Sequence, residues 1–139
     1  MQIRTATTDD AEAIAAFDCF GGDRPAAIQA GRCVVAEVDG DIAGYAVFKK
    51  RGLIGRDFVE FLVVRDGLRR RGVAVALLLE LEARCSPGRL FISTESNNAP
   101  MLALLQRQGY RAAGQITDIN ASGNAERFFC RDAEERPSK

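Results

Sequence analysis

The sequence contains no histidine and no tryptophan, and its four cysteines (Cys19, Cys33, Cys85, Cys130) form no CxxC pair. Without histidine the commonest general base is missing, together with every serine-histidine or cysteine-histidine nucleophile. Acid or base chemistry must then fall to Asp, Glu, Tyr, Cys or Lys. A zinc site lacks a ligand set, and no metal cofactor is expected. Neither sign of charge is in excess: Lys plus Arg and Asp plus Glu number 19 each. An overall field that would draw nucleic acid or an anionic membrane is therefore absent, and any anion site must be local. Long apolar runs are missing too. The longest, residues 73–79, is too short to span a bilayer, and the N-terminus lacks the apolar core of a signal peptide, so a reduced, cytoplasmic protein is expected. Neither GxxxxGK[ST] nor GxGxxG occurs, which disfavours nucleoside triphosphate and dinucleotide chemistry.

What is present fits one domain over residues 1–131 with a charged, frayed tail at 132–139. Residues 2–6 read as a strand, and Asp9 with Glu12 as a capping-box start for a helix carrying Ile14 and Phe17. Asp23, Arg24 and Pro25 open a second, short helix. Strands at 33–38 and 42–49 are joined through Asp39-Gly40, the strongest hairpin signal in the chain. A third strand is expected at 58–64, a helix from 72 to 85, a strand at 90–94 and a helix at 99–108 closed by Gly109. Two further strands surround a polar turn at 122–124. A strand-helix-strand passage across 58–94 implies one parallel neighbour, so the sheet is mixed.

The densest chemistry lies in FLVVRDGLRRRGVA, where a strand ends, Arg69, Arg70 and Arg71 follow, and Gly72, Val73 and Ala74 open a helix. A helix N-terminus presents unpaired N–H groups and partial positive charge, while a glycine and an alanine admit a phosphate close to the main chain. The alternative is a solvated arginine face with a permissive turn. No aromatic residues alternate with the arginines, which argues against RNA.

This stretch resembles the acyl-coenzyme A signature R/Q-x-x-G-x-G/A of the GNAT N-acetyltransferase superfamily, with Arg69, Gly72 and Ala74 at its fixed positions. Asn98 to Tyr110 resembles a second family segment, N-x-x-A-x-x-L-Y-x-x-x-G-F, and VAEVDGDIAGYAVF resembles the family's second and third strands. The resemblance implies an α/β (α+β) fold: a mixed, mainly antiparallel sheet of about six to seven strands, with helices on both faces and a parallel, splayed strand pair. It also implies acetyl-CoA as co-substrate. The main chain of Leu62, Val63 and Val64 would meet the pantetheine arm, and Arg69, Arg70, Arg71, Gly72, Val73 and Ala74 the pyrophosphate. Asn98 would contact the coenzyme, although it equally fits a helix N-cap.

By the same resemblance Glu60 is the candidate base that takes the ammonium proton, its alternative being a partner for a nearby arginine. Leu105 occupies the place at which many members carry a tyrosine that protonates the departing thiolate. Tyr45 and Tyr110 read as packing residues, and the cysteines as small buried apolar ones. The expected activity is direct acetyl transfer to a primary amine of a small molecule or peptide, with no nucleic acid or membrane partner and a homodimer left open. A module that binds or senses acyl-CoA without catalysis is the alternative.

Overall fold

The computed structural model describes residues 1–68, 72–85 and 88–132. Seven strands form a mixed sheet in the order β1-β2-β3-β4-β5-β7-β6. They are β1 (Gln2–Thr5), β2 (Cys33–Val38), β3 (Asp41–Leu53), β4 (Arg56–Val64), β5 (Arg89–Glu95), β6 (Arg111–Ile116) and β7 (Glu126–Asp132). The pairs β1–β2, β2–β3, β5–β7 and β6–β7 run antiparallel, and β4–β5 runs parallel. The helices are α1 (Ala11–Ala15), α2 (Arg24–Gln29), α3 (Val73–Arg84) and α4 (Ala99–Arg107). The chain falls into two compact units, Met1–Lys49 with Glu60–Arg84, and Lys50–Val59 with Cys85–Lys139.

In the first unit the Asp39-Gly40 turn has both residues in the left-handed region, φ 53° and 84°, as a tight hairpin between right-twisted strands requires. Alternation along the strands then sorts side chains by face. Cys33, Val35, Tyr45, Val47 and Val63 join Ile14, Ala27 and Ile28 in one apolar cluster under α1 and α2. Gly44 faces the other way, and a Cβ there would meet the Val63 carbonyl oxygen at 2.7 Å and Val73 and Leu77 of α3 at 3.1 and 3.3 Å. Helices therefore cover both faces of this part of the sheet, and glycine at 44 lets α3 approach.

The helix start differs from the sequence expectation. A single 3-10 turn, Thr8–Asp10, precedes a short α1, and the capping carboxylate belongs to Asp10, not to the Asp9-Glu12 pair. Asp10 accepts the Thr7 N–H at 2.7 Å and both terminal nitrogens of Arg4, at 2.8 and 2.9 Å. That bidentate pair draws Asp10 inward and fixes where the turn begins. Asp23 caps α2 as expected, accepting the Ala26 N–H at 3.0 Å.

In the second unit β3 runs on to Leu53 and β4 begins at Arg56, so the strands expected to end at 49 and to start at 58 are longer and close in a hairpin. Two glycines and a basic run concealed their full length. Its tip is Ile54-Gly55, φ 50° and 80°, and the Arg51 N–H bonds the Asp57 carboxylate at 3.0 Å. The parallel ladder sets Asp57, Phe58 and Val59 against Leu90, Phe91 and Ile92. β7 lies between β5 and β6, and all six residues of edge strand β6 are exposed. Arg131 of β7 donates to the Gln108 carbonyl at the end of α4, where a cation meets the negative end of the helix. A Cβ on Gly109, φ 81°, would stand 2.8 Å from that guanidinium, so both backbone and space select glycine. Asp132, expected in the tail, instead closes β7 opposite Arg89. The tail from 133 to 139 lies outside the described residues.

Candidate functional site

In the first unit the site candidates gather on the end of β4 and the start of α3. Phe61 and Val63 turn toward the cluster beneath α1 and α2, so Glu60, Leu62 and Val64 take the opposite face. The Arg65 N–H donates to the Ala43 carbonyl at 2.8 Å, which holds this end of β4 to β3. Leu62 and Val64 are half-buried and Val63 is buried. The parallel ladder recorded for β4 ends at Val59.

Arg69, Arg70 and Arg71 lie outside the described residues. Beyond them Gly72 has φ 77°, and no described atom lies within 4 Å of where its Cβ would stand. The first helical bond recorded for α3 runs from the Ala76 N–H to the Gly72 carbonyl at 3.0 Å. The amides ahead of Ala76, those of Val73 and Ala74 among them, therefore belong to the turn whose N–H groups have no carbonyl within the helix. Val73 is buried and Ala74 half-buried. Strand end, open glycine and helix N-terminus together suit an extended polar arm that ends in phosphate.

Glu60 is held by a partner. Arg32 Nη1 donates to its Oε1 at 2.8 Å, both side chains being about a third exposed. The sequence left open a nearby arginine as partner, and the structure makes it Arg32, which orients the carboxylate while leaving it wet. In the second unit Asn98 is the N-cap of α4, and its side chain accepts the Met101 N–H at 3.3 Å. Leu105 is fully buried and Tyr110 nearly so.

Nothing local in the sequence marks a polar group that the fold gathers in the first unit. Tyr45 donates its hydroxyl to Asp18 Oδ1 at 2.6 Å, and the Phe20 N–H bonds the same oxygen at 3.1 Å. Arg24 Nε lies 2.9 Å from Asp18 Oδ2 and 3.2 Å from the Tyr45 oxygen, while its Nη2 donates to the Gly21 carbonyl at 3.0 Å. The guanidinium rests 3.9 Å from the Phe61 ring centroid, a cation–π contact. Burial and the bond to Asp18 push the Tyr45 phenol above its ordinary value. Burial disfavours the Arg24 charge, yet Tyr45 and Asp18 outweigh it and the guanidinium is held more firmly protonated. The signal that could have found the group was weak: Asp18 and Arg24 straddle a Gly-Gly turn far in sequence from Tyr45.

Cys33 and Cys130 are buried as expected, whereas Cys19 is exposed and Cys85 half-buried. Desolvation pushes the Cys33 thiol up to about 11, which suits packing and not nucleophilic attack. No described helix is long and apolar enough to cross a membrane.

The acetyltransferase (GNAT) family pattern matches residues 3–110. No curated protein sequence matches the chain. Among solved structures, a GNAT-family acetyltransferase from Bacillus cereus superposes with a TM-score of 0.83 at 25% identity, covering 94% of this chain and 96% of its own. A ribosomal-protein-alanine N-acetyltransferase from Brucella melitensis gives 0.77 at 23%, covering 95% and 99%. A Salmonella typhimurium protein solved with acetyl-CoA gives 0.79 at 20%, covering 100% and 97%. The strand order, the turn into α3 and the match to the family pattern lead to one assignment: the chain belongs to the acetyltransferase (GNAT) family.

Proposed function

We propose that the protein transfers an acetyl group from acetyl-CoA directly to a primary amine of a small molecule or peptide. The observation that carries the reading is the end of β4 leading into α3. Main-chain groups of Leu62, Val63 and Val64 lie beyond the β4–β5 ladder, and Gly72 is open beside the amides of Val73 and Ala74. Such a path suits a pantetheine arm followed by a pyrophosphate, with Arg69, Arg70 and Arg71 adding charge. The co-substrate, when bound, supplies an acyl group activated as a thioester.

This chain's own residues supply orientation and proton handling. Glu60, steadied by Arg32, takes the ammonium proton, directly or through water, so that the amine attacks as a free base. Buried Cys33, its thiol held protonated, argues for direct transfer over an acyl-enzyme. Leu105 offers no proton to the leaving sulfur. A thiol of pKa about 8.5 leaves as thiolate without an acid, so transfer is slowed and not forbidden.

The test begins with binding. Acetyl-CoA should raise the melting temperature, pantetheine without phosphates should do much less, and Gly72→Glu should abolish the shift while the fold survives. CoA release is then followed with a panel of primary amines and peptide N-termini. Tight binding of acetyl-CoA without amine-dependent release would replace this reading by a non-catalytic acyl-CoA sensor, and unaltered binding in Gly72→Glu would remove the proposed loop.

A further inference from the structure

In the second unit the two faces of the sheet are covered unequally. Alternation turns Leu90, Ile92 and Phe129 to the side on which Arg131 reaches the end of α4, and all three are buried. Phe91 and Phe128 point the other way and are only half-buried. These two rings floor an open groove of about 300 Å³, bounded by Leu53 and Ile54 at the tip of the β3–β4 hairpin and by Gly114 and Ile116 of edge strand β6. An apolar cavity of about 150 Å³ already holds a benzene ring, so the groove has room for an aliphatic side chain. Beside this hole stands a knob. Ile54 is 97% exposed with φ 50°, so neither its backbone nor the packing of its own protomer selects isoleucine there. Of the five large apolar side chains exposed among the described residues, three belong to this region: Ile54, Ile116 and, just beyond β6, Ile119.

Charge is divided about the groove. The hairpin carries Lys50, Arg51 and Arg56, all exposed, whereas Glu126 lies opposite Ile116 at the other end, with Glu95 across from it and Asp118 close by in sequence. None of these six side chains enters an ion pair with a described residue. Glu95 and Glu126, directly opposite on neighbouring strands, repel until a cation approaches.

We propose that this face joins two copies of the chain about a twofold axis, each protomer's groove receiving the partner's Ile54. A twofold contact requires a patch that complements itself. Here knob and hole lie side by side, and an axis between them exchanges the two. The same rotation carries the basic hairpin of one copy to the acidic end of the other, so both charge groups meet their opposites. A partner of one charge sign would satisfy only one of them. With no net charge, two copies have no overall repulsion to overcome. Strand β6 decides that the contact is made by the face of the sheet and not by its edge. Its register shifts between Ala112 and Gly114, where Gly114 has φ 125°, and such a bulge interrupts the row of N–H and C=O groups that an added strand would need.

The interface is independent of the transferase reading, and its test needs no substrate. Sedimentation equilibrium of the full chain should show a reversible dimer that weakens as salt is added. Ile54→Asn replaces the knob by a residue that accepts the left-handed φ, so the protomer should melt no lower than the parent. Its dimer dissociation constant should rise at least about a hundredfold, each of two buried isoleucines being worth about tenfold or more. The charge pattern is tested by two reversals, Lys50→Glu with Arg56→Glu in one variant and Glu95→Lys with Asp118→Lys in another. Each should weaken its own dimer, and an equimolar mixture should pair as a heterodimer tighter than either. A parent that stays monomeric at the highest soluble concentration overturns the proposal and leaves the groove to another protein or an apolar ligand. A dimer as tight in Ile54→Asn as in the parent also overturns it, since the contact then lies on another face. Reversal variants that show no preference for each other overturn the twofold arrangement.

Discussion

Two adjacent residues of β4, Glu60 and Phe61, face opposite sides of the sheet, and each lies beside an arginine that pairs with a carboxylate. On the Phe61 side Arg24 and Asp18 have side chains only 7% and 10% exposed; on the Glu60 side Arg32 and Glu60 keep 31% and 30%. The contact distances are nearly the same, 2.9 and 2.8 Å, so burial and not geometry separates them. A dry pair is locked, because removing one member leaves a charge that water cannot reach. A wet pair can exchange its partner at little cost. The first suits holding a loop, and the second suits chemistry.

The largest effect that would break this contrast is expected from Asp18→Ala. It strands the Arg24 charge and should destabilise the protein by about 3–5 kcal/mol, read by chemical denaturation; a loss below 1 kcal/mol would mean the pair is not effectively dry. Next comes Glu60→Gln, expected to lower kcat about a hundredfold for an amine protonated at neutral pH, with acetyl-CoA affinity unchanged and the acidic limb of the pH profile lost. Equal turnover would assign the base elsewhere.

A third pair tests the role of burial at an intermediate level. Asp10, at 8% side-chain exposure beside Arg4 at 30%, has its carboxylate held below the ordinary range, chiefly by the Arg4 hydrogen bonds. A depressed folded pKa contributes stability above the unfolded value and loses it as pH falls through the folded one. Asp10→Asn should therefore cost about 2 kcal/mol near neutrality, and the gap to the parent should narrow below about pH 4. A gap constant down to pH 2 would show that the carboxylate charge contributes nothing. The smallest effect is expected from Arg32→Gln: at most about 1 kcal/mol of stability, read by chemical denaturation.

The strands were legible where alternation and turn chemistry agreed. Asp39-Gly40 marked its hairpin because few residue pairs accept two left-handed conformations, and Gly109 marked the end of α4 for the same reason. The β3–β4 tip was not legible, since Ile54 takes a left-handed φ that a branched side chain disfavours and nothing local announces it. At the site, the glycine turn into α3 and the cap formed by Asn98 could be read, each being a local relation over a few residues. Whether Glu60 had a partner could not: Arg32 is 28 residues away in sequence.

The sequence by itself determined the element order, the mixed sheet and the open turn at Gly72, because hydrophobic period, caps and glycine conformation act over short stretches of chain. Tertiary structure decided which charges are dry. Asp18, Arg24 and Tyr45 meet only once α1 and α2 settle on the face that carries Phe61 and Val63. Desolvation is a property of everything packed around a group, and no spacing along the chain encodes it.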